Sequence, residues 1–203
     1  MTNLAAFNGG ATLSSPNRIV VEYFDSIRRL VKETQDALTT NLCRQNAALT
    51  VIMAVTAVEI FLNLWFKLKA EETNLAEKKN LFSEDLEKRI SLEKKLDRWP
   101  MRYLNKTLNF SAGAGAEFNK LKTLRNSIVH FTSTHSSFEY ENIAINGLAN
   151  TTEYDNLSFD KARWSLFTAE DVIAELFALS GTSRESIPSL LQLWSGRAPF
   201  PLT

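Results

Sequence analysis

Cysteine is nearly missing from this chain: Cys43 stands alone among 203 residues. That excludes an internal disulfide and any cysteine-built metal cluster, and it points to a reducing compartment. Histidine is almost as scarce, with only His130 and His135. Two imidazoles straddling a helix end are poorly placed for a closed metal site, and no nearby acidic cluster completes one, so neither a metal nor another cofactor is expected. Seven glycines and five prolines are few for the tight turns of an all-β protein. No glycine-rich phosphate loop, serine-centred hydrolase elbow or internal repeat occurs. Met1 to Ser15 has neither a basic start nor a sustained apolar run, so no export signal is expected and the cytoplasm is the expected location.

What the chain does have is long stretches rich in Leu, Ala, Glu, Lys and Asn, which favour helix. Its length suits one domain with a self-sufficient core. The expected fold is all-α: an up-and-down bundle of four to five helices, with an irregular or hairpin insertion before the last long one. Residues 1–15 read as a flexible arm, 16–194 as the domain, 132–166 as the insertion and 195–203 as a tail. Ser15-Pro16 starts a first helix, expected to run to about Leu42 on the spacing of Ile19, Tyr23, Phe24, Ile27, Leu30, Val31 and Leu38. A second helix starts at Asn46 and reaches Lys69 or beyond. A third starts at Ser83-Glu84-Asp85 and is interrupted at Trp99-Pro100, with a short piece from Met101 to Leu108 after it. The fourth runs from about Ala116 to His130 or Phe131. Within the insertion, Phe138, Tyr140, Ile143 and Ile145 with Asn146-Gly147 suggest a hairpin. Thr168-Ala169-Glu170-Asp171 caps a fifth helix ending at Gly181, and a last piece spans Ser183 to Trp194. Trp65, Trp99, Trp164 and Trp194 read as core or interface residues.

The stretch Ala47 to Phe66 is nearly long enough to cross a bilayer. Glu59 and Asn63 oppose that, since a carboxylate in mid-span costs roughly 2.5 to 3.5 kcal/mol. A helix apolar all round is equally what the centre of a bundle requires, so no membrane association is expected.

Net charge is zero but uneven. Residues 1–130 carry 19 basic and 14 acidic side chains, residues 131–203 carry 4 and 9, and Lys88 to Arg125 holds ten basic against three acidic. That basic run leads into Arg125-Asn126-Ser127-Ile128-Val129-His130, which sets a guanidinium and an imidazole about one and a half helical turns apart. Arginine matches phosphate oxygens in a bidentate fork, and histidine exchanges protons near neutral pH; together they suffice for phosphodiester chemistry without a metal.

On a helical wheel Phe118, Leu121, Leu124, Ile128, Val129 and Phe131 form the core-facing stripe of the fourth helix. Asn119, Thr123, Asn126, Ser127 and His130 form a second face, polar yet without a fixed charge, as a cleft or a symmetric interface would be. Asn126 and His130 lie at i and i+4, so the amide could orient the imidazole. Arg125 falls inside the apolar stripe, where a charge needs a partner, and Glu59 on the apolar second helix is the candidate.

Leu124-Arg125-Asn126 followed by His130, late in a helical chain, resembles the signature of the HEPN superfamily (higher eukaryotes and prokaryotes nucleotide-binding). Glu59-Ile60-Phe61-Leu62-Asn63, late in an apolar second helix, is similar to a segment common in such proteins. The resemblance spans roughly residues 16–180. It implies a helical bundle that forms a homodimer, and a metal-independent endoribonuclease of the toxin–antitoxin or phage-defence type acting on RNA. By that resemblance Arg125 would bind the scissile phosphate, His130 would act as general acid or base, and Asn126 would be the supporting polar residue, with Glu59, Asn63 and Ser127 around them. An antitoxin or a nucleotidyltransferase would be the partner. The subgroup silenced by nucleotidylation needs a tyrosine where this chain has Thr132.

Cleaving RNA internally needs a base, an acid and a cation. One chain offers a single His beside a single Arg, and a two-fold dimer with the fourth helices facing would bring two of each together. Two other readings stay open. Arg125 and His130 could simply favour a helix C-terminus through the dipole, or the chain could be a catalytically silent module that binds nucleotide, RNA or protein.

Overall fold

The computed structural model describes residues 15–73, 75–130, 136–140, 143–148 and 151–197, the strands by their backbone. The expectations for the arm before Ser15, for Phe131, Thr132 and His135, and for the tail beyond Arg197 lie outside those residues. The chain is an all-α bundle. Its helices are α1 (Arg18–Gln35), α2 (Thr40–Glu72), α3 (Ala76–Glu87), α4 (Leu92–Leu104), α5 (Gly113–His130), α6 (Thr152–Asp155), α7 (Phe159–Leu179) and α8 (Ile187–Ser195), with strands β1 (Ser136–Tyr140) and β2 (Ile143–Leu148) between α5 and α6.

The centre is α2, whose 33 residues extend about 50 Å. It has no polar face along its middle because α1, α3, α4, α5 and α7 all pack on it. By length and composition it could cross a membrane, yet 56% of its most apolar stretch is buried in the bundle. Val51, Ala54, Val58, Phe61, Leu62 and Phe66 join Phe24 and Ile27 of α1, Phe118 and Leu121 of α5 and Val172, Ile173 and Leu176 of α7 in one core. Phe61 stacks on Trp65 at 5.4 Å and meets Trp194 edge-on at 5.2 Å. Trp65, Trp99 and Trp194 are thus core residues, while Trp164 is half-buried.

Several boundaries depart from the sequence-based expectation, each for a local reason. The first helix stops at Gln35 instead of Leu42, because the Thr39 hydroxyl accepts from the Leu42 amide and starts α2 early. Leu38, counted as a core position, lies in the connection and is 96% exposed. The third helix starts at Ala76, not Ser83, and ends before Ser91, which caps a separate α4. Pro100 does not interrupt α4. It removes one backbone hydrogen bond, but Trp99 and Pro100 are buried, and the turn beyond them is held by Arg102 on Asp85 at 2.7 Å and Tyr103 Oη donating to the Lys78 carbonyl at 2.9 Å.

The insertion is shorter than residues 132–166, since α6 and the first turns of α7 lie within it. Ser158 caps α7 by accepting from the Lys161 amide, so Thr168 is not a cap but a buried mid-helix residue. Gly181, at φ +88°, does follow the helix end. The hairpin exists, with Tyr140 of β1 paired to Ile143 of β2. Asn146-Gly147 sits inside β2 where the register slips opposite Ser137, a bulge position that suits the same residues.

Candidate functional site

The site helix α5 is anchored at its start. A side chain on Gly115 would collide with the Asn109 carbonyl, so only glycine lets the two backbones come this close. The Gly115 amide donates to Glu175 Oε2 of α7 at 3.2 Å, placing a carboxylate at the positive helix end. Phe118, Leu121, Leu124 and Ile128 then face the core as their spacing requires, whereas Val129, expected in that stripe, is 41% exposed. Asn119, Thr123, Asn126 and His130 are exposed and Ser127 is half-buried, so the uncharged polar face is a real surface.

That face divides between two cavities. On one flank Asn119, Thr123 and Ser127 line a cavity of about 730 Å3 closed by Trp164 of α7 and Glu153 of α6. The Ser127 hydroxyl donates to the Leu124 carbonyl at 2.8 Å. Hydrogen bonds from Lys120 and from the Trp164 indole hold the Glu117 carboxyl at this rim below the usual carboxylate range. On the other flank Arg125 and Asn126 line a cavity of about 380 Å3 with Thr56 and Glu59 of α2, the α3–α4 junction and Lys122.

Arg125 is half-buried, its Nε atom fully so and without a hydrogen-bond partner. The expected Arg125–Glu59 ion pair does not form. Glu59 instead accepts from Lys95 Nζ of α4 at 2.6 Å, and Lys95 also lies over the Trp99 ring. Lys95 is nearly fully buried, so the desolvated ammonium has the stronger demand for a carboxylate. Arg125 donates to Asn126 Oδ1 at 3.2 Å, so the amide is oriented by the guanidinium and makes no hydrogen bond to His130. The imidazole stands exposed near the end of α5 and lines neither cavity. Asn63 lies on α2 beyond Glu59, half-buried, with its Oδ1 unpartnered.

Arg125, Asn126 and Glu59 are therefore brought together around one cavity, while Ser127 lies on the opposite flank and His130 beyond both. The basic residues that sequence reasoning missed are Arg89 and Lys122, which line this cavity, and Lys95, which pairs with its Glu59. They belong to the basic run from Lys88 to Arg125, but that run does not say which of its charges share a cavity. Lys122 is bound to Glu93 at 2.6 Å, and that hydrogen bond draws the Glu93 carboxyl below its ordinary range. No family model, curated protein or solved structure matches this chain.

Proposed function

We propose that the protein is a HEPN-like, metal-independent endoribonuclease of the cytoplasm, of the toxin or defence type, acting as a homodimer and held in check by an antitoxin or a nucleotidyltransferase. The observation that carries this is Arg125: a guanidinium drawn partly out of water at a cavity whose two carboxylates, Glu59 and Glu93, are paired with lysines instead, and with a polar amide steadying it. A cation left uncompensated in this way is complementary to a phosphate. The exposed His130 on the same helix supplies the proton-transfer group, and its exposure leaves it free to serve across a two-fold axis. In that arrangement one imidazole takes the proton of the 2′-hydroxyl and the other protonates the departing 5′-oxygen, leaving a cyclic phosphate.

A specific observation favours a second reading. The Asn126 amide serves Arg125, which leaves the imidazole without a hydrogen bond to orient it among the described residues. A catalytically silent module binding RNA or nucleotide through Arg125 is compatible with that. Incubating the protein with RNA in EDTA decides between the two. The wild type should yield 2′,3′-cyclic phosphate ends, and Arg125→Ala and His130→Ala should each be at least about 100-fold slower. Equal cutting by all three would overturn the nuclease assignment, and RNA binding without any cutting would leave the silent module.

A further inference from the structure

The α3–α4 junction brings a second arginine to the Arg125 cavity, on a backbone that disfavours it. The Arg89 amide donates to the Leu86 carbonyl at 3.0 Å and the Ile90 amide to the Asp85 carbonyl at 3.2 Å, the pair of bonds that closes a Schellman motif. Its left-handed position is normally Gly or Asn, yet here it is Arg89 at φ +47°. The position puts the exposed Arg89 side chain on the edge of the cavity that Arg125 lines.

Both carboxylates of that cavity are already committed, Glu59 to Lys95 and Glu93 to Lys122. Arg89 and Arg125 have no ion-pair partner among the described residues. Two guanidiniums around one cavity without a free counter-charge repel each other and favour an anion between or along them. Among the described residues no aromatic ring lines the cavity, so none of them would stack a base there; the complementarity is to a sugar-phosphate backbone.

We propose that Arg89 is a second phosphate-binding residue of this site, gripping a phosphodiester adjacent to the one at Arg125 on single-stranded RNA. The choice of RNA rests on the nuclease reading, whereas the phosphate chemistry rests on the unmatched charges alone.

Arg89→Gly is the decisive variant, because glycine takes φ +47° without strain. A purely structural Arg89 therefore predicts equal or higher stability and unaltered binding. The probe is a fluorescent 2′-O-methyl RNA oligomer, which cannot be cleaved through its blocked hydroxyl, titrated in EDTA at several salt concentrations. Arg89→Gly should bind about tenfold more weakly and show a slope of log K against log salt shallower by about 0.7, with no fall in melting temperature. Arg89→Lys should recover most of the slope.

Absence of oligomer binding by the wild type, or Arg89→Gly binding within about twofold of it, would overturn the subsite. If the wild type still cuts unmodified RNA in that case, the nuclease reading survives. Arg89-dependent binding by a protein that cuts nothing would do the opposite. Displacement of the oligomer by micromolar ADP would overturn the assignment to a polynucleotide.

Discussion

Two groups of arginines in this bundle are handled in opposite ways. Where α1 meets α7 and the segment after α8, Glu170 is 1% exposed and accepts from Arg28 at 2.6 Å, with Arg197 at 3.4 Å. Asp25 and Asp171 take further bonds from the same two guanidiniums, which also lie over the rings of Phe24 and Phe167. Beside α5, Arg125 loses much of its hydration and, among the described residues, hydrogen-bonds only the neutral Asn126. A desolvated cation matched by carboxylates ties elements together, and one left unmatched holds its electrostatic capacity for something else.

The contrast is sharpest at Glu170. Glu170→Ala should cost about 3 kcal/mol at neutral pH, because it removes the one buried carboxylate shared by the half-buried Arg28 and Arg197 and leaves them, among the described carboxylates, only the exposed Asp25 and Asp171; calorimetry should show a fall of roughly 6 to 12 °C in melting temperature. A fall below about 2 °C would erase the distinction. Burial pushes the Glu170 carboxyl up despite the pull of Arg28 and Arg197. With the folded pKa above the unfolded one, the protonation-linked part of its contribution is full below the ordinary carboxyl range and is lost as pH rises through the folded value, leaving the ion pairs at neutral pH. Melting temperatures of Glu170→Gln taken from pH 4 to 7 should lack that component, and a pH profile identical to the wild type would remove Glu170 as its source.

Smaller effects test the other region. Lys95→Met frees Glu59 to turn towards Arg125, so RNA affinity should drop about threefold, and adding Glu59→Gln should restore it. Unchanged affinity in the single variant would mean that Lys95 does not keep this carboxylate away from the site. Smallest of all, Arg125→Met should alter stability by no more than about 0.5 kcal/mol, whatever it does to RNA binding. A loss matching that of Glu170→Ala would make Arg125 a structural residue and end the comparison.

The helical order and the identity of α5 were legible because apolar residues recur at helical spacing over long stretches. The breaks were not. Thr39, Ser91 and Ser158 each start a helix by accepting one hydrogen bond from a backbone amide, a signal no stronger in sequence than that of Ser83 or Thr168, which start none. Arg125 and Asn126 could be singled out by residue type, but the partner of Glu59 could not. Lys95 is 36 positions away, and which cation reaches a carboxylate depends on how α4 lies against α2. Arg89 escaped notice for a similar reason, since a left-handed arginine at a helix end carries no sequence mark.

Composition and periodicity alone required a helical chain with an apolar central helix, and they placed an arginine, an amide and an imidazole on its fourth long helix, because those properties follow from residue type and a repeat of 3.6. Which charges cancel and which stay open was decided only when α2, the α3–α4 junction and α5 closed around one cavity. Electrostatic pairing falls off with distance through space and takes no account of separation along the chain.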